Sequence, residues 1–284
     1  QRAWNELTSI KGNLAENILK TLKVSTKQEI VKAPTTNTEA YKYYLEAKYI
    51  YEKRENLKDT EIARGLLRKA IELDDNLLIA KNVLANTYYS LGDFDKAMEI
   101  YLENLKKAEE IGDKHWMGGS LNNIGIVHAD KGDYDTALDY YARSLAIKEE
   151  LGDEPGVATS FEYIGEIYFN QGDFKTSLDY WQRTLKIREK LDDKSGIATS
   201  LNNIGAVYLY QGDHRKTLDF WNKSIKIQED MGNHSGIAMT LGNIGHLFNE
   251  QGNYVRALVY LDRSLKIYEK LGDRSSIAKN YQPS

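Results

Sequence analysis

Apolar positions set the first reading of the chain. Leu201, Ile204, Gly205 and Tyr208 recur at spacings of three and four, which places them on one face of a helix. A polar break, Gln211-Gly212-Asp213, comes next. Leu218, Trp221 and Ile225 then restart the pattern, which runs on to Ile227 and Met231. Glycine reaches the left-handed conformation that closes a helix, and Asp accepts hydrogen bonds from the free N–H groups that open the next. The stretch therefore predicts two helices joined by a tight turn, with Gly232 ending the second and Asn233 capping the helix after it.

The stretch Leu201–Asn233 returns with a period of 40 residues, as Leu121–Asp153, Phe161–Asp193 and Leu241–Asp273. A fixed period of this length marks a stacked array of supersecondary units. The turn pairs Gly132-Asp133, Gly172-Asp173, Gly212-Asp213 and Gly252-Asn253 fall in register; at the second turn Asp192 replaces glycine once. Gly125, Gly165, Gly205 and Gly245 sit inside predicted helices, where glycine costs about 1 kcal/mol relative to alanine. Close approach of the partner helix is the expected reason, with Ala137, Ser177, Thr217 and Ala257 as the matching small face.

Leu121, Gly125, His128 and Ala137 in one unit, and Leu201, Gly205, Tyr208 and Thr217 in another, hold the pattern of large apolar, small, aromatic and small residues that resembles the tetratricopeptide repeat. The 40-residue length and the Gly-Asp turns are most similar to the long repeats of spindle-orientation adaptors and kinesin light chains. The resemblance implies an all-α, right-handed superhelical solenoid of antiparallel helix pairs, with first helices lining a concave face and second helices a convex one. On this reading residues 1–37 are an N-terminal amphipathic helix and linker, and residues 38–284 are the array. Its units run at about 38–75, 76–111, 114–151, 154–191, 194–231 and 234–271, with a partial helix at 274–282 after them. Thr38 is expected to cap the first array helix, and the loop near Glu55-Asn56-Leu57 is expected to be longer than its counterparts.

Leu7, Ile10, Leu14, Ile18 and Leu22 form an apolar stripe ahead of the Pro34 linker. This opening, with Glu39-Ala40-Tyr41 and Tyr44-Leu45, resembles the join between a TolB-like region and repeats in bacterial signalling proteins, some of which carry a class III nucleotide cyclase. That likeness implies an alternative role as the regulatory or oligomerisation module of a larger protein. Its partners would be upstream domains of the same polypeptide or a second copy in a homodimer.

Composition narrows the chemistry. The formal charge of −4 over 284 residues gives no basic footprint for nucleic acid. With no cysteine there is no disulfide, thiolate nucleophile or thiolate metal site, which fits a cytoplasmic protein. No apolar run has the length of a membrane span. The five histidines form no HExxH pair, and Asp130, Asp133 and Asp135 occupy an inter-helix turn rather than a calcium loop. No nucleophile–base constellation and no phosphate loop appear, so neither enzyme, cofactor nor metal is expected.

What remains is binding by the first helices. One row is Asn123, Tyr163, Asn203, Asn243; its neighbour is Asn122, Glu162, Asn202, Gly242. Ile126, Glu166, Ala206, His246 and Asp130, Asn170, Tyr210, Glu250 complete the set. Each Asn amide offers a donor and an acceptor, as an extended peptide backbone requires. The family likeness implies that Asn123, Asn203 and Asn243 hold peptide. These rows carry Glu162 and Glu166 but no Lys or Arg, so the expected partner is a neutral or basic peptide. On the second helices Arg143, Arg183, Lys223 and Arg263 stand in register, most simply as a solvated face supported by Glu149, Glu189 and Glu269.

Overall fold

The computed structural model describes residues 35–272, all of whose regular structure is helical. Twelve helices run in order: α1 Thr38–Lys53, α2 Leu57–Leu73, α3 Leu78–Tyr89, α4 Phe94–Ile111, α5 Lys114–Asp130, α6 Tyr134–Leu151, α7 Glu154–Asn170, α8 Phe174–Lys190, α9 Lys194–Tyr210, α10 His214–Asp230, α11 His234–Glu250 and α12 Tyr254–Leu271. They fall into two compact units, residues 1–147 and 148–284, with the boundary inside α6. Within each unit, successive helices pack as antiparallel hairpins, and each hairpin packs on the next. The expected Leu7–Leu22 helix and the partial helix after Asp273 lie outside the described residues.

The turns form as their residues dictate. At the end of α9, Asp213 N donates to the Tyr208 carbonyl at 2.9 Å and Gly212 N to Leu209 O at 2.9 Å, a closure that requires Gly212 at φ +76°. The Asp213 side chain then accepts from Lys216 N at 3.1 Å and caps α10. Asp192 takes the same left-handed place without glycine, at φ 52°. Two local expectations fail. Asn37 caps α1, accepting from Glu39 N and Ala40 N, because its side chain sits one position ahead of the first helical residue, Thr38. The 54–56 linker is no longer than the 131–133 turn, since Asn56 caps α2 directly.

The core of residues 35–147 is built on Ala47, Leu67, Leu77, Leu84, Tyr101, Leu121 and Ile124. In residues 148–272 the second helices contribute tryptophans: Trp181 packs with Ile204 and Val207, and Trp221 with Ile237, Leu241 and Ile244. Here the helical glycines find their cause, though with a different neighbour from the one expected. A Cβ on Gly205 would lie 2.5 Å from Trp221 Cδ1, and one on Gly165 would lie 2.7 Å from Trp181 Nε1. The ring, four residues beyond the small residue at Thr217 or Ser177, fills the space over the glycine. The approach lets Trp221 Nε1–H donate to the Asn202 carbonyl at 3.0 Å and Trp181 Nε1–H to Glu162 O at 3.2 Å. A buried indole thus keeps its hydrogen bond.

Candidate functional site

The glycine and tryptophan contacts orient each first helix, and this decides which candidate side chains face outward. Asn122 and Asn202 turn inward, at 5% and 8% exposure. Asn202 Nδ2 donates to Thr240 Oγ1 at 3.0 Å while the Thr240 hydroxyl donates to Gly236 O at 3.0 Å, so this amide ties α9 to α11. One residue on, the row of Asn123, Tyr163, Asn203 and Asn243 lies nearer the surface. Asn123 is half-buried and donates to Asn82 Oδ1 at 2.6 Å. Tyr163 is half-buried, and desolvation pushes its phenol pKa up. Asn203 is half-buried and Asn243 exposed, and neither amide is hydrogen-bonded to any described residue.

Around these amides, Glu166 is exposed and His246 half-buried. Tyr210 is 64% exposed and held edge-on against Phe169 at 5.1 Å between ring centroids and stacked on Phe174 at 5.6 Å. The acidity expected at Glu162 is offset, because Arg188 reaches across from α8 and pairs with its carboxylate. Asp130, in the fourth row, accepts from the Tyr89 hydroxyl at 2.6 Å. A shallow hollow of about 470 Å³, lined by Glu149, Glu154, Val157, Lys186 and Lys190, shares no residue with these rows.

Arg188 belongs to a polar column that sequence reasoning misses. Lys148, Arg188 and Gln228 stand in register on the second helices. Lys148 Nζ donates to Ser160 Oγ at 3.1 Å, Arg188 to Gly196 O at 2.8 Å, and Gln228 to Ser224 Oγ at 2.7 Å. Burial drives the Lys148 pKa down to about 8. Room for these long side chains comes from Gly156, Gly196 and Gly236; a Cβ at Gly196 would fall 2.4 Å from Arg188 Cδ. The register mate of those glycines is Trp116, and there the second-helix residue is Ala108. Bulk has moved from one helix to the other, which accounts for a tryptophan where glycine is the rule. Comparing position 108 with 116, rather than 116 alone, would have shown it.

On the outer face the basic row is supported by Asp four residues back, rather than by Glu149, Glu189 or Glu269. Arg143 pairs with Asp139 at 3.8 Å, Arg183 with Asp179 at 2.8 Å and Lys223 with Asp219 at 2.7 Å. Each also lies over an aromatic ring, Lys223 at 5.2 Å from the Phe220 centroid. Among the described residues no group of acidic and histidine side chains could hold a metal ion, and no helix is long and apolar enough to cross a membrane.

Repeated helical hairpins, most of them closed by a Gly-Asp turn and three of them with a glycine under a large ring (Gly125, Gly165 and Gly205), define an α-helical repeat protein. The tetratricopeptide repeat family model matches residues 75–150, 156–230 and 196–270, and the chain belongs to that family. No curated protein matches the sequence. Among solved structures, the chain is similar to BtubC (BKLC) from P. vanneervenii, at 22% identity and a TM-score of 0.59, covering 87% of this chain and 95% of that one. It is similar to a Rap protein complexed with Competence and Sporulation Factor, at 16% identity and a TM-score of 0.63, over 89% and 76% of the two chains. A kinesin light chain with nearly identical repeats from Podosopora anserina gives 16% identity and a TM-score of 0.55, over 70% and 97%. At these identities the likeness is one of fold.

Proposed function

We propose that the protein is a non-enzymatic interaction scaffold that holds an extended partner segment along its first helices. The observation that carries this reading is the contrast between Asn202 and Asn203. Asn202 is committed to Thr240, whereas Asn203 and its register mate Asn243 present amides with no hydrogen bond to the described residues. Each amide can accept from and donate to the backbone of an extended chain. Tyr163, His246 and the rigid face of Tyr210 would contact its side chains. Glu166 would favour a neutral or basic segment; Glu162 adds little to that preference, because Arg188 already matches its charge. A Rap protein of similar fold, solved complexed with Competence and Sporulation Factor, gives precedent for a partner bound by a protein of this fold.

The test is to select binders from a random peptide library on the purified protein, then measure the best of them against Asn203→Ala/Asn243→Ala. Removing two neutral hydrogen bonds at about 0.5–1.5 kcal/mol each predicts a loss of affinity of about fivefold or more, with an unchanged far-ultraviolet spectrum. Affinity equal to that of the native chain would sink the proposal.

A further inference from the structure

The last described helix, α12, breaks the outer-face pattern that its sister helices keep. At the two positions one turn apart where α6, α8 and α10 carry Asp135 and Asp139, Lys175 and Asp179, and Arg215 and Asp219, α12 carries Val255 and Val259. Those valines are 77% and 53% exposed. Their place at the end of the described residues does not explain them. Asp179 and Asp219 are exposed although a further helix pair comes after each, so this face stays open to solvent wherever it occurs. Leu258 and Tyr254 continue the patch at 68% and 65% exposure. They differ from the valines in that their mates Leu178, Leu218 and Phe174 pack into the clusters around Trp181 and Trp221.

The loss of the aspartate has an electrostatic consequence. Arg263 stands where Arg143, Arg183 and Lys223 stand, but its residue four back is Val259. Among the described residues Arg263 has no ion pair; it lies over the Tyr260 ring at 6.0 Å. Arg256 likewise has no carboxylate partner and lies over Phe248 at 5.4 Å. At 100° per residue the order around α12 is Tyr254, Leu258, Val255, Val259, Arg263, Arg256. An exposed apolar strip therefore runs directly into two guanidinium groups that have no carboxylate partner among the described residues.

We infer that this face of α12 is a docking surface for an amphipathic helical segment of a partner protein, one whose apolar stripe is bordered by carboxylates. The valines would take the stripe, and Arg256 and Arg263 would take the carboxylates as charge-assisted hydrogen bonds. The site is separate from the Asn203–Asn243 row and uses no residue of it.

The sister helices supply the test variant. Val255→Arg/Val259→Asp gives α12 the residues of α10 at both positions, including the Asp that pairs one turn on with the basic residue at 263, so folding is preserved by precedent within the same chain. The probe is a labelled synthetic helix with leucines spaced three and four apart and glutamates along both edges, with a twin carrying lysines in place of the glutamates. The acidic probe is expected to bind the native protein at least tenfold more tightly than its twin. The double variant should lose at least tenfold of that affinity with an unchanged thermal unfolding curve, while Asn203→Ala/Asn243→Ala should keep it. Equal binding of the two probes, binding indifferent to the double variant, or no binding of the acidic probe overturns the inference. So does association with phosphatidylserine vesicles in place of the acidic probe, which would make the face a membrane contact.

Discussion

Replacing Gly205 with alanine tests the packing logic at its tightest point. Mid-helix, the exchange should gain about 1 kcal/mol from propensity alone. Here the new Cβ would lie 2.5 Å from Cδ1 and 2.6 Å from Nε1 of Trp221, a side chain only 2% exposed. Ordinary contact begins near 3.5 Å, so the indole must retreat by about 1 Å within a filled core. Overpacking of that kind costs about 1–3 kcal/mol, and weakening the indole bond to Asn202 O removes about 1 kcal/mol more. After the propensity gain, a net loss of about 1–3 kcal/mol is expected. Gly65, inside α2, is the control: a Cβ there meets nothing within 4 Å, so Gly65→Ala should stabilise by up to about 1 kcal/mol. Gly245→Ala, which meets Leu261 rather than an indole, should fall between the two. Urea denaturation monitored by tryptophan fluorescence reads all three. A Gly205→Ala protein as stable as the native chain would refute the claim that the glycine is kept for the ring.

Two further predictions concern stability. The Lys148 pKa, lowered by burial to about 8 from an ordinary 10.5, means that the folded state disfavours the ammonium. Below pH 8 both states are protonated and folding bears the full penalty; between about 8 and 10.5 the unfolded chain holds more protons, so stability rises with pH. Lys148→Met should therefore stabilise by about 1–3 kcal/mol at pH 7, with the advantage gone above about pH 10.5; a pH-independent difference would contradict the assignment. Asp192→Gly should add roughly 0.5 kcal/mol, because relief of the left-handed strain at φ 52° exceeds the extra freedom glycine gains in the unfolded chain; a lower denaturation midpoint would count against it.

The fold was legible because its signals are local and repeated. Gly212 and Asp213 specify a turn by their own conformational and capping chemistry, and the 40-residue period repeats the message. The site was less legible. Asn202 and Asn203 are adjacent on a helix rim, and which amide stays idle depends on Thr240, 38 residues away. Arg188 is on a second helix, so counting charges along first helices alone could not reveal that it neutralises Glu162. Trp116 departs from the glycine of its register mates, and the compensating small residue, Ala108, stands in the register of Lys148, Arg188 and Gln228 on the other helix, which a scan along first helices does not meet. The glycine rows are plain in the sequence, but their partner is not: small-on-small packing against Ser177 and Thr217 and small-under-ring packing against Trp181 and Trp221 leave the same mark at the glycine.

On the proposed function, a partner segment is held by the amides of Asn203 and Asn243, which make no hydrogen bond to the described residues. The most direct measurement is a titration of the isotope-labelled protein with the selected peptide, tracking the side-chain amide resonances by nuclear magnetic resonance. The account predicts that the Nδ2 signals of Asn203 and Asn243 shift and saturate together, while that of Asn202, locked on Thr240, stays in place. Shifts confined to α12, or an Asn202 signal that moves while the other two do not, would contradict it.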